Sequence, residues 1–173
     1  MLLEDYRMTV TPPECLPSEV FVTATIEFED DLTDLLPYLN AELGPCIYDP
    51  DVPFLRLNRH GRLVVFYARS IGIAGLRDEE DARMVFEEIR EAVNSVSLRK
   101  DEIEPSTWSL SEVKPLAVFK LLPRTNCGEC GRSTCMAFAA DLANGEAGID
   151  DCPHLSDEES PANRRELLTL FGQ

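Results

Sequence analysis

The chain has 173 residues, 44% of them hydrophobic, and its 32 acidic against 16 basic side chains give a formal net charge of -16. This composition is that of a folded globular protein rather than a disordered one, and the charge argues against nucleic acid as a partner, because affinity for it comes from Lys and Arg neutralising phosphates. No apolar run approaches the ~20 residues of a membrane span, and the opening MLLEDYRM has no basic-then-apolar signal pattern, so the expected location is the cytoplasm, where thiols stay reduced.

Residues 1–18, with Pro12, Pro13 and Pro17, read as an extended leading segment. Cys15 lies in it; as a lone cysteine it reads as a small buried side chain rather than a ligand, and so does Cys46. The run Glu19 to Phe28 alternates, with Val20, Val22, Ala24, Ile26 and Phe28 on one face, and predicts a strand with one buried face. In the following EDDLTDLLPYLNAELG, Leu32, Leu35, Leu36, Leu39 and Leu43 recur at helical spacing, with Asp30 or Asp31 as N-cap and Gly44 as terminator. Pro37 interrupts that pattern, which predicts either a kink or a later helix start.

Three or four short strands are expected next. They are Cys46 to Tyr48, then Pro53 to Arg59 and Arg62 to Ala68 joined by a His60-Gly61 turn, then Ser70 to Gly75. His60 reads as a turn residue, since no second His or Cys is spaced to join it. The longest helix is predicted from Asp78 to about Val96. Its acidic start, Asp78, Glu79, Glu80 and Asp81, complements the helix dipole, and Ala82, Val85, Phe86, Ile89 and Val93 form one apolar stripe for the sheet. Residues 98–121 hold Pro105 and Pro115 without clear periodicity and read as a connector, one that Trp108 and the run from Leu116 to Phe119 would pack against the first domain.

Across residues 20–97 the order is strand, helix, several antiparallel strands, helix. With the phrases DLTDLLPYLNAEL, HGRLVVFYA and GLRDEEDARMVFEEI it is similar to one repeat of the TATA-binding-protein fold. The resemblance implies an α+β domain, a curved antiparallel sheet with two helices on one face. It does not imply DNA binding, because a saddle that grips DNA needs two repeats and a basic rim. The uncovered face is then open to self-association as a homodimer, to a partner protein or to the C-terminal segment.

The chemistry is concentrated in LPRTNCGECGRSTCMAFAADLANGEAGIDDCPHL, where Cys127, Cys130, Cys135 and Cys152 are spaced C-x2-C-x4-C-x16-C. Soft thiolates at such spacing select an iron–sulfur cluster or zinc. Structural zinc sites usually pair two knuckles, and only one is present. Gly128 and Gly131 permit the tight turns and close approach that a cluster demands. Ser133 or Thr134 is placed to cap a helix from about Thr134 to Asn144, stopped by Gly145, which sets Cys135 in the first turn, where the dipole stabilises a thiolate. Met136, Phe138, Ala139, Leu142 and Ala143 would form the core of a very small domain. Units below ~40 residues usually need a metal to fold, so removing it is expected to disorder the segment. Cys152 has a rigid exit in Pro153, and His154 reads as a neighbour because four thiolates already complete the set. Ser160-Pro161 opens a last helix with Arg164, Leu167, Leu168 and Phe171 along one side.

Leu122, Pro123, Asn126, Cys127, Gly128, Cys130, Gly131, Cys135, Phe138, Ala139, Leu142, Gly145, Cys152 and Pro153 closely resemble the small 4Fe-4S domain of the corrinoid iron–sulfur protein large subunit. The resemblance is confined to the cysteine segment. It implies that the four cysteines bind one 4Fe-4S cluster used in low-potential electron transfer, with a corrinoid protein or an anaerobic one-carbon enzyme as redox partner. The expected organisation is an α+β domain over 1–97, a connector over 98–121, and over 122–173 a small, mainly helical cluster-binding domain that ends in the last helix. No phosphate loop, nucleotide fingerprint or nucleophile with its base marks an enzyme, so the chain reads as an electron carrier or accessory protein. The alternative is a redox- or oxygen-sensing regulatory or assembly protein with the cluster as its switch.

Overall fold

The computed structural model describes residues 1–12, 21–155 and 160–172. Cys15 and the first residues of the expected strand at 19–28 lie outside the described residues. The chain divides into two compact units, Met1–Thr107 and Trp108–Gln173.

The first unit is built on period-two alternation. Ala24, Ile26 and Phe28 of β2 (Val22–Phe28) are buried while Thr25 and Glu27 are exposed. The same alternation buries Leu55 and Leu57 on β4 (Phe54–Arg59), Val64 and Phe66 on β5 (Arg62–Tyr67), and Ile71 and Ile73 on β6 (Ser70–Leu76). With β1 (Tyr6–Thr11) and β3 (Ile47–Asp49) these strands form one antiparallel sheet in the order β1-β2-β6-β5-β4-β3. Register puts the buried residues on one face, with Ile26 opposite Ile71, Ile71 opposite Phe66 and Phe66 opposite Leu55. A slip of one residue would turn that face to water, which is why the pattern specifies the pairing.

Both helices of this unit share that core. Helix α1 (Leu36–Glu42) contributes Leu36 and Leu39, and α2 (Glu79–Leu98) contributes Ala82, Val85, Phe86, Ile89, Val93 and Val96. The α+β class and the element order from β2 to α2 are those expected. On the opposite face Phe54, Leu63 and Val65 are half-buried and Tyr67 is exposed.

Two features differ from the sequence expectation, and a third decides between the alternatives left open at Pro37. Residues 6–11, expected as an extended leading segment, form the edge strand β1, in which Tyr6, Met8 and Val10 face Phe28, Ile26 and Ala24. The start of the chain is held by Asn94, whose side chain accepts from the Leu2 N–H and donates to the Leu2 carbonyl. The leucine-rich helix begins only at Leu36, with Pro37 in its first turn and a 3-10 turn over Thr33–Leu35 before it, so no kink is needed. There proline loses no intrahelical bond. Neither Asp30 nor Asp31 caps that helix: Asp30 accepts from the Leu3 N–H and Asp31 from the Thr33 N–H.

The hairpin turn is as read. His60 and Gly61 have φ of 54° and 75° between the paired Arg59 and Arg62, the two-residue primed turn whose twist matches that of the strands. Cys46 is fully buried, its thiol donating to the Gly44 carbonyl, and burial pushes its pKa up to about 12. That is an unreactive core thiol.

Asp81, expected to act only through the helix dipole, is 2% exposed. Its carboxylate accepts from Arg62 at 2.8 Å and from both the backbone and the guanidinium of Arg77, tying α2 to β5 and to the end of β6. These hydrogen bonds, Arg77 first, hold its pKa well below the usual carboxylate range. The resulting stability is fully present above the unfolded carboxylate pKa and is lost as pH falls toward the depressed folded value. Arg77 is mostly exposed and its share is screened. Asp81→Ala should therefore lower unfolding stability by about 2 kcal/mol at neutral pH, read as a lower urea midpoint at unchanged slope, and the deficit should shrink in acid.

Candidate metal centre

In the second unit, residues expected as a connector form a helix. Pro115, whose missing N–H costs nothing at a helix start, opens α3 (Pro115–Leu121). It packs against α4 (Cys135–Ala143) and α5 (Pro161–Leu170). The shared interior holds Val118, Leu122, Phe138, Leu142, Leu155, Leu167 and Phe171, all buried. The run Leu116–Phe119 thus contributes Val118 to the core of this unit. The last helix opens at Ser160-Pro161 and buries Leu167 and Phe171, as its stripe predicts.

The cysteines lie on the loop before α4, on the first residue of α4 and on a short turn after it. Thr134 is the N-cap of α4, its hydroxyl accepting from the Ala137 N–H at 3.1 Å, so Cys135 takes the first helical position. Gly145 ends the helix region with φ of 72°. The loop turns back through four residues of positive φ, Arg124 at 61°, Asn126 at 51° and Gly128 and Gly131 at 78° each, with the Gly131 N–H donating to the Gly128 carbonyl at 2.9 Å. At the two glycines a side chain would be strained whatever the surrounding space.

Asn126 clamps this loop to the helix. Its side-chain oxygen accepts from the Cys135 N–H at 2.8 Å, while its own N–H points at the Cys135 sulfur at 3.4 Å. Arg132 on the loop pairs with Asp141 on α4. Cys152 ends a 3-10 turn over Ile149–Asp151, and its carbonyl accepts from the Leu155 N–H at 3.0 Å.

The four thiols differ in environment. Cys127 is exposed, Cys130 and Cys135 are half-buried, and Cys152 is buried. The Glu129 N–H, then the Thr125 side chain, with a further contribution from His154, hold the Cys127 pKa below its ordinary value. Burial pushes that of Cys152 up, and the neighbouring charges of Cys130, Cys127 and Cys135 push it the same way. The other three thiols therefore sit within electrostatic reach of Cys152. Among the described residues, the ligand atoms found within 4.8 Å of one another are those of Cys127, Glu129 and His154, and no three cysteine sulfurs lie that close. A single tetrahedral zinc ion would draw four sulfurs to within about 4 Å of each other. An iron–sulfur cluster takes each thiolate at a separate iron, and four thiolates are the donor set that such a cofactor uses.

Sequence reasoning singled out the four cysteines and the two glycines but missed Asn126 as a clamp, Arg132–Asp141 as a brace, and Glu129. His154, read as a neighbour, lies against Cys127 rather than only beside Cys152 in the chain. Nothing in the spacing distinguishes these roles, because each depends on where the loop returns.

Residues 122–154 match the family model described as "Putative Fe-S cluster", which supports the iron–sulfur cofactor that the cysteines predict. The chain is 57% identical over 42 residues to the corrinoid/iron-sulfur protein large subunit of Moorella thermoacetica, a match covering 24% of this chain and 9% of that protein. It is 50% identical over 61 residues to the acetyl-CoA decarbonylase/synthase complex subunit gamma of Methanothermobacter thermautotrophicus, covering 35% and 12%. The corresponding subunit of Methanopyrus kandleri is 48% identical over 59 residues, covering 34% and 13%. The chain thus spans about a tenth of the length of these curated relatives. No solved structure matches it.

Trp108–Gln173 is one compact unit in which α3, α4 and α5 share an interior, so the disorder expected on metal loss should fall mainly on the cysteine loop. From Pro123 to Thr134 no residue is fully buried. Stripping the metal with a chelator under reducing conditions should leave the helical circular dichroism nearly unchanged and accelerate tryptic cleavage after Arg124 and Arg132. A collapse of the helical signal would show that the whole unit folds around its metal.

Proposed function

We propose that Cys127, Cys130, Cys135 and Cys152 hold one 4Fe-4S cluster and that the chain passes single electrons to or from a protein partner. The observation that carries this reading is the placement of the four thiols. Two lie on a doubly turned glycine loop, one at a helix N-terminus and one, Cys152, on a buried turn within electrostatic reach of the other three. A cluster of this type supplies reversible one-electron transfer at a potential tuned by hydrogen bonds to sulfur and by burial.

The residues around the thiols set those two quantities. The Asn126 N–H is directed at the Cys135 sulfur, and hydrogen bonds of this kind stabilise the more negative, reduced state. Thr134 fixes the helix end behind Cys135, and Arg132–Asp141 limits the loop's excursions. Cys127 is the exposed corner, which makes its side the path for electrons, since transfer falls off with distance from the surface. The reducing cytoplasm, where thiols stay free to bind a cluster, is the compartment that suits this chemistry. A corrinoid protein or an anaerobic one-carbon enzyme is the expected partner, and the relatives' names, a corrinoid/iron-sulfur protein and an acetyl-CoA decarbonylase/synthase complex, support a protein partner of that kind. The first unit, whose elements follow the order of a TATA-binding-protein repeat, is the candidate surface for recognising that partner.

The same exposed corner favours a second reading, a redox or oxygen sensor, because it is also where an oxidant would reach. Reversible cycling at a potential well below that of the cytoplasm supports the carrier. Irreversible loss of colour within minutes of air exposure, coupled to changed partner binding, supports the sensor.

Anaerobically purified protein should be brown and contain iron and sulfide in equal amounts near four per chain, and a colourless preparation without either sinks both readings. Replacing Cys127, Cys130, Cys135 or Cys152 by Ser should in each case abolish the visible absorbance, whereas Cys15→Ser and Cys46→Ser should retain it.

A further inference from the structure

We propose that Cys127, Glu129 and His154 form a second metal site, which takes one divalent transition-metal ion of borderline softness, such as zinc or ferrous iron, in chains that lack the cluster. The ligand atoms of the three residues lie within 4.8 Å of one another, and His154 Nε2 stands 3.4 Å from the Glu129 carboxylate. Bonds of about 2.0–2.3 Å to a tetrahedral ion hold nitrogen, oxygen and sulfur ligands roughly 3.3–3.8 Å apart, so small side-chain rotations close the set. One thiolate, one imidazole and one carboxylate form a mixed set suited to these ions, and the fourth position is left to water.

The three residues come from two parts of the chain. Cys127 and Glu129 lie on the glycine loop, and His154 on the 3-10 turn over Pro153–Leu155, which is anchored by the buried Leu155 and packs against α5. Cys127 and Glu129 are exposed and His154 is half-buried, so an ion can reach them without opening the core. Binding breaks the Cys127 S–H bond, releases that proton to water and forms the sulfur–metal bond, with no change of oxidation state. The site rests on the proposed function only in sharing Cys127. One thiolate cannot serve both sets, so the single ion and the cluster exclude each other, and zinc bound here blocks cluster assembly.

The test uses the full chain, cluster-free and with reduced thiols, titrated anaerobically with Co²⁺. The Cys130→Ser/Cys135→Ser/Cys152→Ser variant, which has no four-thiolate set, should bind one Co²⁺ per chain with a thiolate-to-cobalt charge-transfer band. In that background Cys127→Ser should abolish the band, and His154→Ala or Glu129→Gln should each weaken binding about tenfold or more. Circular dichroism checks that each variant is folded; if the triple variant is not, Cys130→Ser alone serves as the background. Loss of binding in the folded background, or binding indifferent to both His154→Ala and Glu129→Gln, overturns the proposal. Failure of the cluster reading shows instead as a lack of iron and sulfide in wild-type protein and leaves the cobalt result as it is.

Discussion

A loop that brings several thiols to one place must reverse direction within a few residues and still satisfy its own backbone. Here the reversal is made by four residues of positive φ, Arg124, Asn126, Gly128 and Gly131, and the cost of that conformation is offset by a clamp. Asn126 accepts from the first amide of α4 and directs its own amide to the sulfur on the same residue. The amide it satisfies is one of the four that every helix leaves unpaired at its start, so one side chain completes the helix and closes the loop. Cys135, the first residue of α4, inherits both effects.

The gradient of exposure across the four thiols follows from this arrangement. Cys152 is buried because it sits on the turn that leads into Leu155 and the helical core, and Cys127 is exposed because it leads the loop on its outer side. A buried thiol resists ionisation, and an exposed one with hydrogen-bond donors around it does so less. The two ends of the set therefore differ in chemistry, one facing the core and the other facing solvent and any partner, and Glu129 and His154 gather at the solvent end.

The first unit is organised by a different constraint, the burial of one sheet face under two helices. Alternation made β2 legible, and the turn residues between the strands made β4, β5 and β6 so, as the apolar stripe did for α2. Strand β1 was not, although Tyr6, Met8 and Val10 alternate as the others do, because the prolines that follow made the stretch read as irregular. Helix α3 escaped for a related reason: a seven-residue helix with one fully buried side chain, Val118, is too short to show a period. Pro37 was ambiguous until its neighbours were placed, since a proline reads equally as a kink within a helix or as its first turn.

The sequence by itself determined the metal chemistry and the class of the fold. Ligand type and short spacing are covalent properties, and a period of two or of 3.6 is imposed by backbone geometry, so both survive without any knowledge of where the chain goes. The tertiary structure alone decided which polar groups meet. Asn94 reaches Leu2 across 92 residues, Asp81 meets Arg62 across 19, and Asn126 meets Cys135 across nine. His154 lies against Cys127, far from it in the chain. Such contacts are fixed by how the chain returns on itself, and a linear pattern carries no term for that. The identity of the four thiols could be read from the chain, but the company they keep could not.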